Sequence, residues 1–320
     1  MFSRRRLIGT LSALGAFFSL ALASLSHASE ILTLTHQGIE RTAVMHRPAA
    51  TVGRPVPMVL ALHGLGGTGE SFRSYARLDA AAERAGFVVV YPDAVAEAWS
   101  YGRPINQPMP TVGSDTVDDV GFIRLLIDDL VSRRIADPAR IYVTGISRGG
   151  LMAYTLACAL ADRIAGAAPL ITGMSEYQRE DCRPTRPVPI MVVAGTSDRE
   201  QAFDGGQGRQ GRLLSVPETM NFWRSLHGCT QRDSRVLPHR DPADPTRVVV
   251  VEWSGCRSEA SPRLYRVERG GHQLPSFRPS GSPMSEERFG PRNRDFETAD
   301  EVWAFFESFS LAPRRGTSAQ

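Results

Sequence analysis

The 320-residue chain contains no lysine; all 37 residues of its Lys+Arg count are arginine. This absence excludes the lysine-bearing loop that cradles nucleotide phosphates, Schiff-base chemistry and a lysine general base. The Gly-rich stretch Gly67-Thr68-Gly69-Glu70-Ser71 is therefore not a nucleotide loop. An excess of one charge is missing too. The formal net charge is +3, and Arg4, Arg5 and Arg6 account for all of it, so nothing favours nucleic acid as a partner. Long apolar runs are confined to Leu7–Leu25. Cysteine is sparse, with none before Cys158, which excludes a lipid anchor near the N-terminus. There is no C-x-x-C pair, and His227, two residues before Cys229, is the only histidine near a cysteine at ligand spacing, so no metal site is expected.

What is present suits one large globular unit, with 42% hydrophobic, 22% charged and 8% aromatic residues. The apolar run follows Ser3-Arg4-Arg5-Arg6-Leu7-Ile8 and ends at Ser26-His27-Ala28, small at the first and third positions as a signal peptidase requires. This pattern predicts a secretory leader over 1–28, and its Arg-Arg pair resembles a twin-arginine export signal. The expected layout is a single domain over 29–312 and a flexible tail over 313–320. The expected location is periplasmic or extracellular, with no membrane association after leader cleavage. Cys158, Cys182, Cys229 and Cys256 are an even number in an exported chain, where disulfides persist. Three connectivities exist. Pairing of sequence neighbours is the expectation, each bridge contributing on the order of 3 kcal/mol by the loop-entropy argument.

From Pro57 onward β-branched runs alternate with helical patterns, the signature of an α/β fold with a mostly parallel sheet covered by helices on both faces. Strands are predicted at Met58–Leu62, Phe87–Tyr91, Ile141–Thr144, Ile190–Ala194, Val248–Trp253 and Arg263–Val267, with an edge hairpin over Ile31–Met45. Helices are predicted at Val120–Arg134, Gly149–Ala161, Pro217–His227 and Ala299–Phe309, where apolar residues recur at three and four. Asp118 and Asp119, just ahead of the first helix, are expected to cap it rather than to hold a metal. Ser276 to Arg294, rich in Pro, Gly, Ser and Arg, is expected to be a surface loop rimming a cleft.

The chemistry is concentrated in Ile141-Tyr142-Val143-Thr144-Gly145-Ile146-Ser147-Arg148-Gly149-Gly150, a strand running through G-x-S-x-G into a helix. This is the context of a nucleophile elbow, in which side chains two positions before and after the serine would collide with neighbouring backbone. A serine hydroxyl needs a histidine to remove its proton and a carboxylate to orient that histidine, in the chain order Ser, acid, His. Among later histidines only His272 follows a strand closely, after Gly270-Gly271. The acid is expected where Ile190–Ala194 ends, at Asp198, with Asp204 as runner-up. The oxyanion donors are expected to be the N–H groups of Arg148 and of Leu65, in the loop Leu62-His63-Gly64-Leu65-Gly66-Gly67. Trp99 and Tyr101 lie where aromatic side chains could flank an acyl chain or phenolic ring, with core packing the competing role.

With these residues in place the chain resembles the secreted α/β-hydrolase esterases that include poly(3-hydroxybutyrate) depolymerases and feruloyl and acetylxylan esterases. The resemblance runs from Met58 to Phe309 through Leu62-His63-Gly64, Tyr91-Pro92-Asp93, Asp118-Asp119-Val120-Gly121-Phe122, the elbow, Gly195 to Asp198, Gly205-Gly206, Gly270-Gly271-His272 and Ala299-Asp300-Glu301-Val302-Trp303. It implies a nucleophile, acid and base at Ser147, Asp198 and His272, and a cysteine pairing around Cys229 and Cys256. One departure is Gln273-Leu274-Pro275, where the family usually continues with Trp and Pro. No Thr-rich linker or polymer-binding domain follows the last helix, so soluble esters or oligomers are expected rather than crystalline polyester. The resemblance implies a serine ester hydrolase of hydroxyalkanoate-type oligoesters, without metal or organic cofactor. Alternatives are a feruloyl or acetylxylan esterase, a serine peptidase, and a catalytically silent binding module.

Overall fold

The computed structural model describes residues 29–101, 117–208, 211–278 and 286–311, so the expected leader and tail lie outside the described residues. Twelve strands are described: β1 (Glu30–His36), β2 (Ile39–His46), β3 (Val56–Leu62), β4 (Val88–Pro92), β5 (Ala136–Ile146), β6 (Gly166–Leu170), β7 (Met191–Gly195), β8 (Gly206–Gly208), β9 (Gly211–Leu213), β10 (Gln231–Val236), β11 (Arg247–Ser254) and β12 (Arg263–Glu268). The α-helices are α1 (Gly69–Ala76), α2 (Leu78–Ala85), α3 (Asp119–Ser132), α4 (Arg148–Ala159), α5 (Glu176–Asp181), α6 (Val216–His227), α7 (Glu286–Phe289) and α8 (Thr298–Phe306). Ten strands form one sheet in the order β1-β2-β4-β3-β5-β6-β7-β12-β11-β10, while β8 and β9 make a small ribbon. The six strands from β4 to β12 run parallel, and the two strands at each margin run antiparallel.

The central strands read as unbroken apolar runs because both faces are covered, as parallel sheets require. Every residue of β3 is buried. Met58, Leu60 and Leu62 point to a core shared with α3, α4 and α6, whereas Val59 and Ala61 point to a second core under α1, α2 and α8. The edge hairpin turns through Gln37 and Gly38, both at positive φ (50° and 77°), the conformation a two-residue hairpin loop demands. Disulfides join Cys158 to Cys182 and Cys229 to Cys256. Among the described residues no helix is long and apolar enough to cross a membrane.

Three differences from the sequence reading have physical causes. Strand β6, Gly-Ala-Ala-Pro-Leu, has no β-branched residue and is ordered by pairing with β5. Of the two acidic residues ahead of α3, only Asp118 is a cap, its Oδ1 accepting from the Gly121 N–H at 2.8 Å; Asp119 is buried in an ion pair with Arg41 at 2.6 Å. The expected surface loop is in part an interior strap, since Ser276, Arg292 and Asn293 are buried and Asn293 donates to Thr246 Oγ1 and to Asp295.

Candidate active site

Ser147 occupies the single residue between β5 and α4 with φ 56° and ψ −118°, a conformation that L-residues avoid at a cost on the order of 1–3 kcal/mol. The surroundings hold it there. A Cβ on Gly145 would lie 2.4 Å from the Gly149 carbonyl oxygen, and one on Gly149 would lie 2.3 Å from that of Leu62. The G-x-S-x-G glycines are thus required by close backbone approach on both sides of the serine. The same packing brings the loop after β3 alongside, since a Cβ on Gly64 would sit 3.6 Å from the Ser147 Cβ.

Asp198 and His272 come from the ends of β7 and β12, which are neighbours in the sheet. Asp198 Oδ2 lies 2.7 Å from His272 Nδ1, and both residues are buried. The other carboxylate oxygen accepts from the N–H groups of Glu200 and Gln201, each at 2.8 Å. With both oxygens held the carboxylate is fixed, and since Nδ1 faces it, proton exchange with a nucleophile falls to His272 Nε2. The two loops touch through backbone: Ser197 N–H donates to Gly270 O at 2.9 Å, and a Cβ on Gly195 would lie 2.3 Å from that same oxygen. Asp204, the runner-up acid, is exposed.

A strap following α7 fixes the histidine loop from behind. His272 N–H donates to Phe289 O at 2.6 Å and Gly271 N–H to Pro291 O at 2.8 Å. Gln273 is buried and donates to Gly290 O at 2.6 Å. Its amide therefore serves as a clamp on the strap.

In the loop after β3, the Gly66 N–H donates to Glu97 O and the Gly67 N–H to Gly64 O. Among the described residues the Leu65 N–H has no acceptor, and Leu65 is 38% exposed. His63 braces this loop. Its Nδ1 donates to Gly64 O at 2.7 Å while Nε2 accepts from the Ala94 N–H at 3.0 Å, which specifies a neutral ring, and burial lowers its pKa below the usual histidine value.

Trp99 and Tyr101 do not present a face to a cleft. Both are buried, at 0% and 2% exposure, so core packing is their role here. Trp99 Nε1 donates to His63 O at 3.0 Å, and Trp99 O accepts from Arg148 Nε at 2.7 Å. The Arg148 guanidinium lies 5.1 Å from the Tyr101 ring centroid. These buried roles of His63, Arg148, Arg41 and Asp119 escaped the sequence reading, since nothing local marks an arginine or aspartate whose partner lies tens of residues away. A groove of about 340 Å³ between α6 and β10–β12, lined by Met220, Arg224, Arg232 and Trp253 among others, is separate from these residues.

An elbow serine at a parallel strand's end, with an aspartate two strands away and its histidine partner three strands away, is the arrangement of a known enzyme family whose model, the alpha/beta hydrolase family, matches residues 59–286. The chain belongs to that family. Among the relatives of this α/β hydrolase, a putative esterase, NocK, from Nocardia uniformis subsp. tsuyamanensis is 38% identical over 272 residues, 81% of this chain and 75% of that protein. Feruloyl esterase B from Piromyces equi is 27% identical over 244 residues, 72% of this chain and 42% of that protein. Poly(3-hydroxyalkanoate) depolymerase C from Paucimonas lemoignei is 31% identical over 117 residues, 37% of this chain and 28% of the depolymerase. The chain thus spans less than half the length of the latter two.

Proposed function

We propose that this α/β-hydrolase esterase works through an acyl-enzyme formed on Ser147. His272 takes the hydroxyl proton through Nε2 as Ser147 Oγ attacks the ester carbonyl carbon, and returns it to the leaving alcohol; Asp198 orients the ring and stabilises its charged form. The N–H groups of Leu65 and Arg148 receive the oxyanion. A water activated by the same histidine then releases the acid and restores the serine. The observation that carries this reading is the 2.7 Å bond between Asp198 and His272, with both carboxylate oxygens engaged, in a molecule where Ser147 is the one serine at positive φ among the described residues and sits at the elbow.

For the substrate, the ordered motifs favour hydroxyalkanoate-type oligoesters. A feruloyl or acetylxylan ester is the second reading, favoured by the length of the match to the Piromyces equi feruloyl esterase, 72% of this chain against 37% for the depolymerase. We further propose that 29–312 is one catalytic domain, exported behind a cleaved leader; the two disulfides support an oxidising destination. The test is hydrolysis of short p-nitrophenyl esters, 3-hydroxybutyrate oligomers and methyl ferulate by the mature chain beside Ser147→Ala. Turnover is expected to fall by at least about 10³-fold in the variant, and the preferred natural ester chooses between the substrate readings. Equal activity of the two chains would remove Ser147 from the mechanism.

A further inference from the structure

The buried pair Arg41–Asp119 has no part in the chemistry above, and α3 does not need Asp119 as a cap, because Asp118 already accepts from Gly121. An ion pair taken out of water is weak support for stability, since apolar residues of similar volume often do as well. Its geometry points elsewhere. Asp119 Oδ1 lies 2.6 Å from Arg41 Nη2, and Oδ2 accepts from the Ser100 N–H at 2.7 Å. Arg41 is itself fixed by Asp93 O at 3.1 Å and by stacking 4.0 Å over the Phe122 ring.

The turn that Asp119 holds is a junction. Trp99, next to Ser100, accepts the Arg148 Nε–H on its carbonyl and donates its indole N–H to His63 O. Arg148 follows the nucleophile and carries one oxyanion donor; His63 opens the loop that carries the other and braces it at Gly64 O, which also accepts from the Gly67 N–H. One turn therefore links both donor-bearing segments, and one carboxylate anchors the turn.

We propose that Asp119 is a positioning residue for the oxyanion site: fixed by Arg41, it holds the Trp99–Ser100 turn and through it the separation of the Leu65 and Arg148 N–H groups. The inference rests on the oxyanion donors assigned above. Donors must lie about 2.7–3.1 Å from the oxyanion, so slack in this turn weakens transition-state binding while leaving ground-state binding largely intact. Its signature is a fall in kcat with KM little changed.

Three variants and a transition-state mimic test it. Asp119→Ala, which removes the acceptor from the Ser100 N–H, is expected to lower kcat roughly 10- to 100-fold, with the affinity for a trifluoromethyl ketone falling in parallel. Asp119→Asn retains an acceptor and is expected to recover most of that loss. The double variant Arg41→Met/Asp119→Leu removes the ion pair as a unit; its thermal midpoint is expected to lie above that of Asp119→Ala while kcat stays low. A purely structural role predicts the opposite, with kcat returning together with stability, and that result would overturn the proposal. So would a change confined to KM, or full activity in Asp119→Ala. If Asp119→Ala does not fold, the kcat and ketone affinity of Asp119→Asn and the double variant decide alone. Ser147→Ala in the same assay separates the two readings: if it stays active, the serine mechanism fails whatever Asp119 does.

Discussion

At the scale of single residues, the strain at Ser147 and the burial of His227 each have a measurable cost. Ser147 has φ 56°, which glycine adopts freely and alanine does not. Ser147→Gly and Ser147→Ala are both expected to be inactive, but the glycine variant is expected to be the more stable by about 1 kcal/mol, after its larger chain entropy is set against the relieved strain. Denaturant midpoints compare them, and an alanine variant of equal or greater stability would contradict the strain assignment. His227, at the end of α6 and packed edge-on against Trp223, has its pKa pushed down to about 4 by burial, from an ordinary value of 6.5. Between those values the unfolded chain binds a proton that the folded one refuses, so stability falls as pH drops from about 6.5 to about 4. The loss approaches roughly 3 kcal/mol, at about 1.4 kcal/mol per pH unit. Replacement by methionine is expected to shrink the difference between urea unfolding at pH 7 and pH 4.5 by about that amount; an unchanged difference would mean that His227 is protonated in the fold. Individual residues were unevenly legible. Ser147, Asp198 and His272 stood out because each follows a predicted strand beside glycines. In the sequence Asp119 resembles a second cap, because its partner Arg41 is 78 residues away and its role exists only after the edge hairpin docks.

Elements are legible where the strand is rich in β-branched and large apolar residues. The strands β3, β4, β7 and β12 carry enough β-branched and apolar residues to declare themselves. Strands β6 and β10 did not, for opposite reasons. The first is built of small residues and proline and takes its conformation from β5. The second, Gln-Arg-Asp-Ser-Arg-Val, is exposed along its length and has only one paired neighbour. Charges on that last strand suit an edge that must not recruit another chain. The short helices α1 and α2 were missed because they are barely two turns each, separated by Arg77 at φ 56°. By composition alone the strap behind His272 is a surface loop. Polar composition suggests solvation, whereas Asn293, Asp295 and Thr246 satisfy one another inside the protein.

At the scale of the whole molecule, the two disulfides are distributed unequally. All four cysteines belong to or pack against the core under α3, α4 and α6, and none to the core under α1, α2 and α8. The bridges close intervals of 24 and 27 residues, each worth about 3 kcal/mol in the loop-entropy account. Reduction is therefore expected to loosen one face first. In hydrogen exchange, amides of α4 and α6 should lose protection on reduction before those of α1, α2 and α8. Simultaneous loss on both faces would show that the sheet couples them into a single cooperative unit. The sheet order also bears on how the molecule comes into being. Strand β12 follows β11 in the chain yet lies between β7 and β11 in the sheet. Under the proposed triad, serine and carboxylate are both made well before the histidine that unites them. A growing chain then carries a silent half-site, and cleavage of esters begins only when the last parallel strand slots home, so the first turnover is itself a report that this strand has joined the sheet.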